Sequence, residues 1–151
     1  MVKKSSKIKF FQGIGKRKSA VALVRLYPLK SGAKLTINSI LMKKGDFYVN
    51  KKQLSESFQS EIYKKIIIKP LILTDSQDIF AVSVYVRGGG KRGQANAISH
   101  GITKALINFD SEKNKAVLKK NRLLTRDPRI KERRKVGTGG KARRKKQSPK
   151  R

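Results

Sequence analysis

The chain has 151 residues, and 39 Lys and Arg against nine Asp and Glu give a formal net charge of +30. That length holds one domain of ordinary size, and self-repulsion on this scale is most simply explained by a polyanionic partner that neutralises it. No cysteine is present, which excludes disulfide frameworks, thiol nucleophiles and zinc knuckles, and one His with nine carboxylates is a poor inventory for acid–base catalysis.

Residues 1–12, MVKKSSKIKFFQ, read as a basic arm without acids, too short for a transit peptide. Gly13–Lys18 reads as a basic glycine turn, which either binds phosphate or carries solvated charge. In Ser19–Tyr27, Ala20, Ala22, Val24 and Leu26 alternate with Val21, Leu23, Arg25 and Tyr27, the period of a strand. Ser31-Gly32-Ala33 is a turn, and Lys34–Asn38 returns as a second short strand in a hairpin-like start. Leu54–Tyr63 reads as a short helix.

Ile66–Leu73 is the most apolar stretch and reads as another strand, with Pro70 favouring an edge position or an irregularity. Its eight residues fall far short of the roughly 20 that a membrane span needs. Asp75 and Asp78 flank a turn and are turn formers rather than a metal pair. Ile79–Arg87 alternates again, with Phe80, Val82, Val84 and Val86 on one side. Ala95, Ile98, Ile102, Ala105, Leu106 and Phe109 then recur at helical spacing. Ala97 and Gly101 let that helix approach the sheet closely, and a second helix follows at about Glu112–Asn121, capped by Asp110 or Ser111. The expected fold class is α+β: a single mostly antiparallel sheet with helices on one face.

The charge divides this body from a tail. Residues 1–110 and 111–151 each carry a net +15, although the second stretch has only 41 residues. From Thr125 to Arg151 the only apolar side chains besides prolines are Ile130, Val136 and Ala142. Such a segment buries too little surface to offset its ordering entropy and is expected to fold only on binding. The organisation expected is therefore an arm at 1–12, a globular nucleic-acid-binding domain at 13–124 and an extended basic tail at 125–151.

The sharpest local signal is Val86-Arg87-Gly88-Gly89-Gly90-Lys91-Arg92-Gly93, between a strand and a helix. Glycines permit positive φ there, and a helix N-terminus offers free N–H groups to an anion. Gly93 is followed by Gln94-Ala95, so the lysine and hydroxyl of a nucleotide-binding P-loop are missing. Spacing also fails the dinucleotide fingerprint. A phosphate backbone is the better ligand than a free nucleotide, and no cofactor or metal is expected. His100 stands without a Ser, Cys or carboxylate at relay spacing and is a polar helix residue. A DNA-compacting protein would require basic helices or a dimer-forming arm. A phosphotransferase would require a complete phosphate loop and a catalytic acid.

Gly13-Ile14-Gly15-Lys16-Arg17-Lys18-Ser19-Ala20, the Val86–Gly93 loop with Ser99-His100-Gly101-Ile102 behind it, and Leu124-Thr125-Arg126-Asp127-Pro128-Arg129 through Glu132-Arg133 together resemble the family of the ninth protein of the small ribosomal subunit, bacterial and organellar type. The resemblance covers nearly all of the chain from Gly13. It implies a non-enzymatic, structural rRNA-binding protein of the subunit head, without membrane attachment or homo-oligomer, and with neighbouring head proteins as partners. It also implies a ribosomal protein S5 domain 2-like fold with a left-handed βαβ crossover.

On this chain the rRNA-binding positions implied are Lys16, Arg17, Lys18, Arg87, Gly88, Gly89, Gly90, Lys91, Arg92, Arg126, Arg129, Arg133, Arg134 and Lys141. Arg143, Arg144, Lys150 and Arg151 would reach transfer RNA in the peptidyl site. The end departs from the family pattern: Gln147 is followed directly by Ser148-Pro149-Lys150-Arg151 without the usual aromatic, and Lys145-Lys146 replace a small residue and proline. Met42–Gln53 is longer and more basic than usual. Lys outnumbers Arg 27 to 12 and Ile and Asn are frequent, a bias of AT-rich genomes that points to ribosomes of the plastid stroma ahead of those of a bacterial cytoplasm.

Overall fold

The computed structural model describes residues 9–30, 32–37 and 40–133. Seven strands and four helices succeed one another among them. They are β1 (Phe11–Arg17), β2 (Ala20–Pro28), β3 (Leu35–Ile37), β4 (Ile40–Met42), β5 (Phe47–Val49), β6 (Lys52–Gln53), α1 (Leu54–Ser57), α2 (Glu61–Leu73), β7 (Phe80–Arg87), α3 (Lys91–Phe109) and α4 (Ser111–Lys120). Five strands form one sheet in the order β1-β2-β7-β5-β6, antiparallel except for the parallel β5–β7 pair. That parallel pair is joined through α1 and α2, since parallel neighbours need a crossover rather than a tight turn.

The helices lie on one face of the sheet. Val24 and Leu26 of β2, Phe80, Val82 and Val84 of β7, Ile67 and Leu71 of α2, Ile98, Ile102 and Leu106 of α3, and Leu118 of α4 share one core. Phe109 closes its end with edge-on contacts to Phe80 at 5.0 Å and Phe11 at 5.1 Å. The α+β expectation therefore holds, as do the β7 strand, the α3 and α4 helices and the Asp110 cap, whose carboxylate accepts from the Lys113 N–H at 3.2 Å. A separate β3–β4 ribbon covers part of the opposite face, packing Met42 with Tyr27 and Ala81.

Three sequence expectations are corrected. Gly13–Lys18 is not a turn: Gly13 and Gly15 lie within β1, and the turn to β2 is confined to Lys18-Ser19. Both glycines face α3, where an added Cβ would overlap the Gly101 and Ala97 carbonyls. Close helix–sheet packing, expected from Ala97 and Gly101, is thus made possible from both sides.

Second, the Lys34–Asn38 strand does not return along β2. β3 pairs instead with β4, Leu35 opposite Met42 and Ile37 opposite Ile40, and the hairpin partner of β2 is β1. Third, Ile66–Leu73 is the C-terminal part of α2. Ile67, Pro70 and Leu71 are buried on one side, with Tyr63 and Ile66 partly so, while Glu61, Lys65 and Lys69 face solvent. This is the i, i+3, i+4, i+7 pattern of a helix, and packing overrides the strand propensity of the isoleucines. The helix stops soon after Pro70, where the Thr74 hydroxyl donates to the Pro70 carbonyl at 3.1 Å.

Candidate RNA interface

The loop from β7 to α3 is shaped by backbone constraints. Gly88 and Gly89 adopt φ of 71° and 65°, a left-handed pair that side chains rarely tolerate. An added Cβ at Gly88 would stand 2.5 Å from the Ser19 carbonyl oxygen. Asn50 fixes the start of this loop where β5 ends. Its side chain donates to the Val86 carbonyl and accepts from the Val86 N–H, both at 2.9 Å, taking the place of the missing strand. Gly90 is the N-cap of α3 and supplies no side chain to the first-turn N–H groups, and the first turn carries no acid. That end is therefore positive and has donors to offer an anion.

Two clefts flank this N-terminus. One, of ≈ 610 Å³, is lined by Arg17, Lys18, Arg92, Gly93, Asn96, Asp127, Arg129, Ile130 and Lys131. The other, of ≈ 380 Å³, lies between Lys18, Tyr63, Gly90, Lys91 and Arg92. The structure thus brings together Arg17, Lys18, Lys91, Arg92 and Arg129, residues 112 positions apart in the chain at the extremes.

Not all of these cations are equally available to a ligand. Arg17 donates through Nη1 to the Arg129 carbonyl at 2.6 Å and pairs through Nη2 with Asp127 at 3.1 Å. Arg129 pairs with the same carboxylate, Nη2 to Oδ2 at 2.8 Å and Nε to Oδ1 at 3.0 Å. The Arg129 side chain, its backbone N–H and Arg17 hold the Asp127 carboxyl well below the ordinary range. Lys91 donates to the Ser57 carbonyl at 3.0 Å and lies over the Phe58 ring. Lys18 and Arg92 are exposed and line both clefts.

Lys16 and Arg87 are placed elsewhere. Both register against Val21 of β2, on the sheet face turned away from the helices. Arg126 and Arg133 are exposed on the segment after α4, and Arg126 raises the positive potential at His100. Arg134, Lys141, Arg143, Arg144, Lys150 and Arg151 lie outside the described residues. Lys131, Asn96 and Tyr63 line the clefts without having been singled out by sequence; Asn96 lies off the apolar period of α3, and Tyr63 belongs to that of α2, where it reads as a core residue. Asp127 was visible as the carboxylate between Arg126 and Arg129, but its role as the hub of two arginines depends on Arg17 arriving from β1.

His100 is buried on α3, its Nε2 facing the Leu124 carbonyl at 3.2 Å, while Nδ1 has no hydrogen-bond partner. Burial and the nearby Lys104 lower its pKa, so the ring is neutral and Nε2–H donates to Leu124. It tethers the exit from α4. Among the described residues no cluster of His, Asp or Glu is arranged to hold a metal ion, and no helix is long and apolar enough to cross a membrane.

A glycine-shaped, acid-free helix N-terminus ringed by lysine and arginine is suited to sequence-independent phosphate binding. Residues 15–151 match the family model described as ribosomal protein S9/S16. That span includes the β1–β2 turn, the glycine loop, both clefts and the whole basic tail. The chain therefore belongs to the ribosomal protein S9/S16 family, structural proteins of the small ribosomal subunit that bind its RNA and take part in translation.

Proposed function

We propose that the body, residues 13–124, docks on small-subunit rRNA through the cationic clefts at the α3 N-terminus, and that the tail, residues 125–151, carries its terminal cations to transfer RNA in the peptidyl site. The observation that carries the first part is the convergence of Lys18 and Arg92 of the body, joined by Arg129 and Lys131 from the start of the tail, on one cleft beside a helix N-terminus. Lys and Arg there neutralise phosphates that converge in folded rRNA, and Arg17 positions the segment that bears Arg129.

The second part rests on sequence. Twelve of the last 23 residues are Lys or Arg, with one acid, Glu132, and the chain ends Pro149-Lys150-Arg151. Arg143, Arg144, Lys150 and Arg151 are the residues assigned to the transfer RNA contact, and Arg134 and Lys141 to rRNA. The excess of Lys over Arg, 27 to 12, favours a plastid ribosome over a bacterial one as the site of action.

Subunits reconstituted with the chain lacking Gln147–Arg151 test the tail. The expected result is normal assembly with weakened transfer RNA binding in the peptidyl site. Unchanged affinity would defeat the assignment. Sedimentation of a lysate at moderate and then high salt tests the rest, since an integral subunit protein stays with the small subunit at both.

A further inference from the structure

The sheet has a second face, and its uncovered part has a distinct chemistry. Ile14, Leu23 and Tyr85 stand in one row across β1, β2 and β7, Ile14 opposite Leu23 and Leu23 opposite Tyr85. The buried positions of each strand alternate with these, so all three side chains point away from the helices. Tyr85 is 61% exposed and Ile14 46%, large values for a tyrosine and an isoleucine in the middle of a sheet. The β3–β4 ribbon packs farther along, at Tyr27 and Ala81, and leaves this row open.

Cations border the row on both sides. Lys16 and Arg87 flank Val21 on one side. On the other, Arg25 stands opposite Gln12 and Ser83, its guanidinium 5.0 Å from the centroid of the Phe10 ring. None of the strands β1, β2 and β7 contains an Asp or Glu. An apolar, aromatic strip with positive borders and no negative charge is complementary to a polyanion that also presents flat apolar faces. A duplex hides its base faces and would cover this strip with phosphates and sugars, whereas unpaired nucleotides expose both parts at once.

We infer that this sheet face binds an unpaired segment of RNA, with a base stacked on the Tyr85 ring and against Ile14 and Leu23, and with Lys16, Arg25 and Arg87 on its phosphates. The face is continuous with the clefts. Lys16 and Arg17 are successive residues on opposite faces of β1, and exposed Lys18 stands at the turn between them. One strand of RNA can pass from the sheet face around that turn to the α3 N-terminus. This inference rests on rRNA docking and adds to it a second surface that reads base faces rather than phosphates alone.

The test is base-specific chemical footprinting of small-subunit rRNA bound to the full chain and to Tyr85→Ala, Tyr85→Phe and Tyr85→Leu, with photo-cross-linking of the unsubstituted chain. Tyr85 is mostly exposed, so all three variants are expected to keep the fold, and circular dichroism checks this. The unsubstituted chain and Tyr85→Phe should protect the same few unpaired bases, and Tyr85→Ala and Tyr85→Leu should lose that protection. Affinity of Tyr85→Ala for the isolated RNA segment should drop roughly 5- to 150-fold, the usual range for one lost base–aromatic stack. Photo-cross-links should place nucleotides on Tyr85. Identical footprints in all four proteins, with binding still sensitive to Arg92→Ala, would overturn the inference and leave cleft docking standing. Cross-links from Tyr85 to a neighbouring protein, or full retention by Tyr85→Leu, would likewise overturn it. Failure of the unsubstituted chain to bind rRNA would overturn both.

Discussion

Arg17, at the end of β1, holds Asp127 at 3.1 Å across the cleft beside α3. The pair fastens the first residues beyond α4 back onto the body. Both groups are near the surface, where screening weakens ion pairs. Asp127→Ala is therefore expected to leave the melting transition almost unchanged but to free the segment around Arg129. Limited proteolysis by an enzyme that cuts after Arg and Lys should cleave at Arg126, Arg129 and Lys131 faster in the variant. High salt should speed the same cuts in the unsubstituted protein.

The contact between β1 and α3 makes a sharper prediction about stability. An alanine at Gly15 would drive its Cβ into the Ala97 carbonyl, where neither backbone can yield. Overpacking of this kind costs about 1–3 kcal/mol, occasionally more. Gly90→Ala, by contrast, adds a methyl to open space at an ordinary φ of −91°. Urea denaturation should show the first variant strongly destabilised and the second near the unsubstituted protein. Equal losses in both would contradict the packing argument.

These glycines also show where sequence reading reaches its limit. Ala97 and Gly101 announce a close helix–sheet contact through their place on a helical face. Gly13 and Gly15 look the same whether they serve a turn or a strand, and the adjacent Lys16-Arg17-Lys18 favours the turn. Only the register against β2 reveals that they are the other half of the contact. Ile66–Leu73 misleads differently: taken alone it is an apolar run, and its helical period emerges when Tyr63 and Lys65 are read with it. For the site, clustered Lys and Arg around the glycine loop are legible as phosphate-seeking chemistry. That Lys16 and Arg17 face opposite sides, and that Arg17 and Lys91 are engaged by the protein itself, depends on tertiary contacts between distant segments.

His100 predicts a pH dependence. Burial first, and the charge of Lys104 second, lower its pKa from the ordinary 6.5. The unfolded chain thus takes up a proton at a pH where the folded chain does not, so stability contributed by the neutral ring is complete above pH 6.5 and is lost as the pH falls through the lowered value. Protonation would also place a second N–H, at Nδ1, where no partner is present. Stability measured by urea denaturation should decline as the pH drops below 6.5, well before the carboxylates titrate. His100→Gln should flatten that decline. A slope that survives the substitution would assign it to other groups.

The clefts predict how binding responds to salt. Each phosphate neutralised releases counterions, so the log–log slope of affinity against salt changes by roughly 0.7–0.9 per contact. Lys18 and Arg92 line both clefts, and replacing either by alanine should make the slope for rRNA binding shallower by about that amount. Arg17→Ala and Lys91→Ala should change it less, because Asp127 and the Ser57 carbonyl already engage those side chains. Filter binding of the full chain between roughly 50 and 200 mM salt resolves these differences. If Arg17→Ala and Lys91→Ala instead produce the larger changes, the free cations of the cleft are not the ones that meet the phosphates, and Arg17 and Lys91 must exchange their protein partners for RNA on binding.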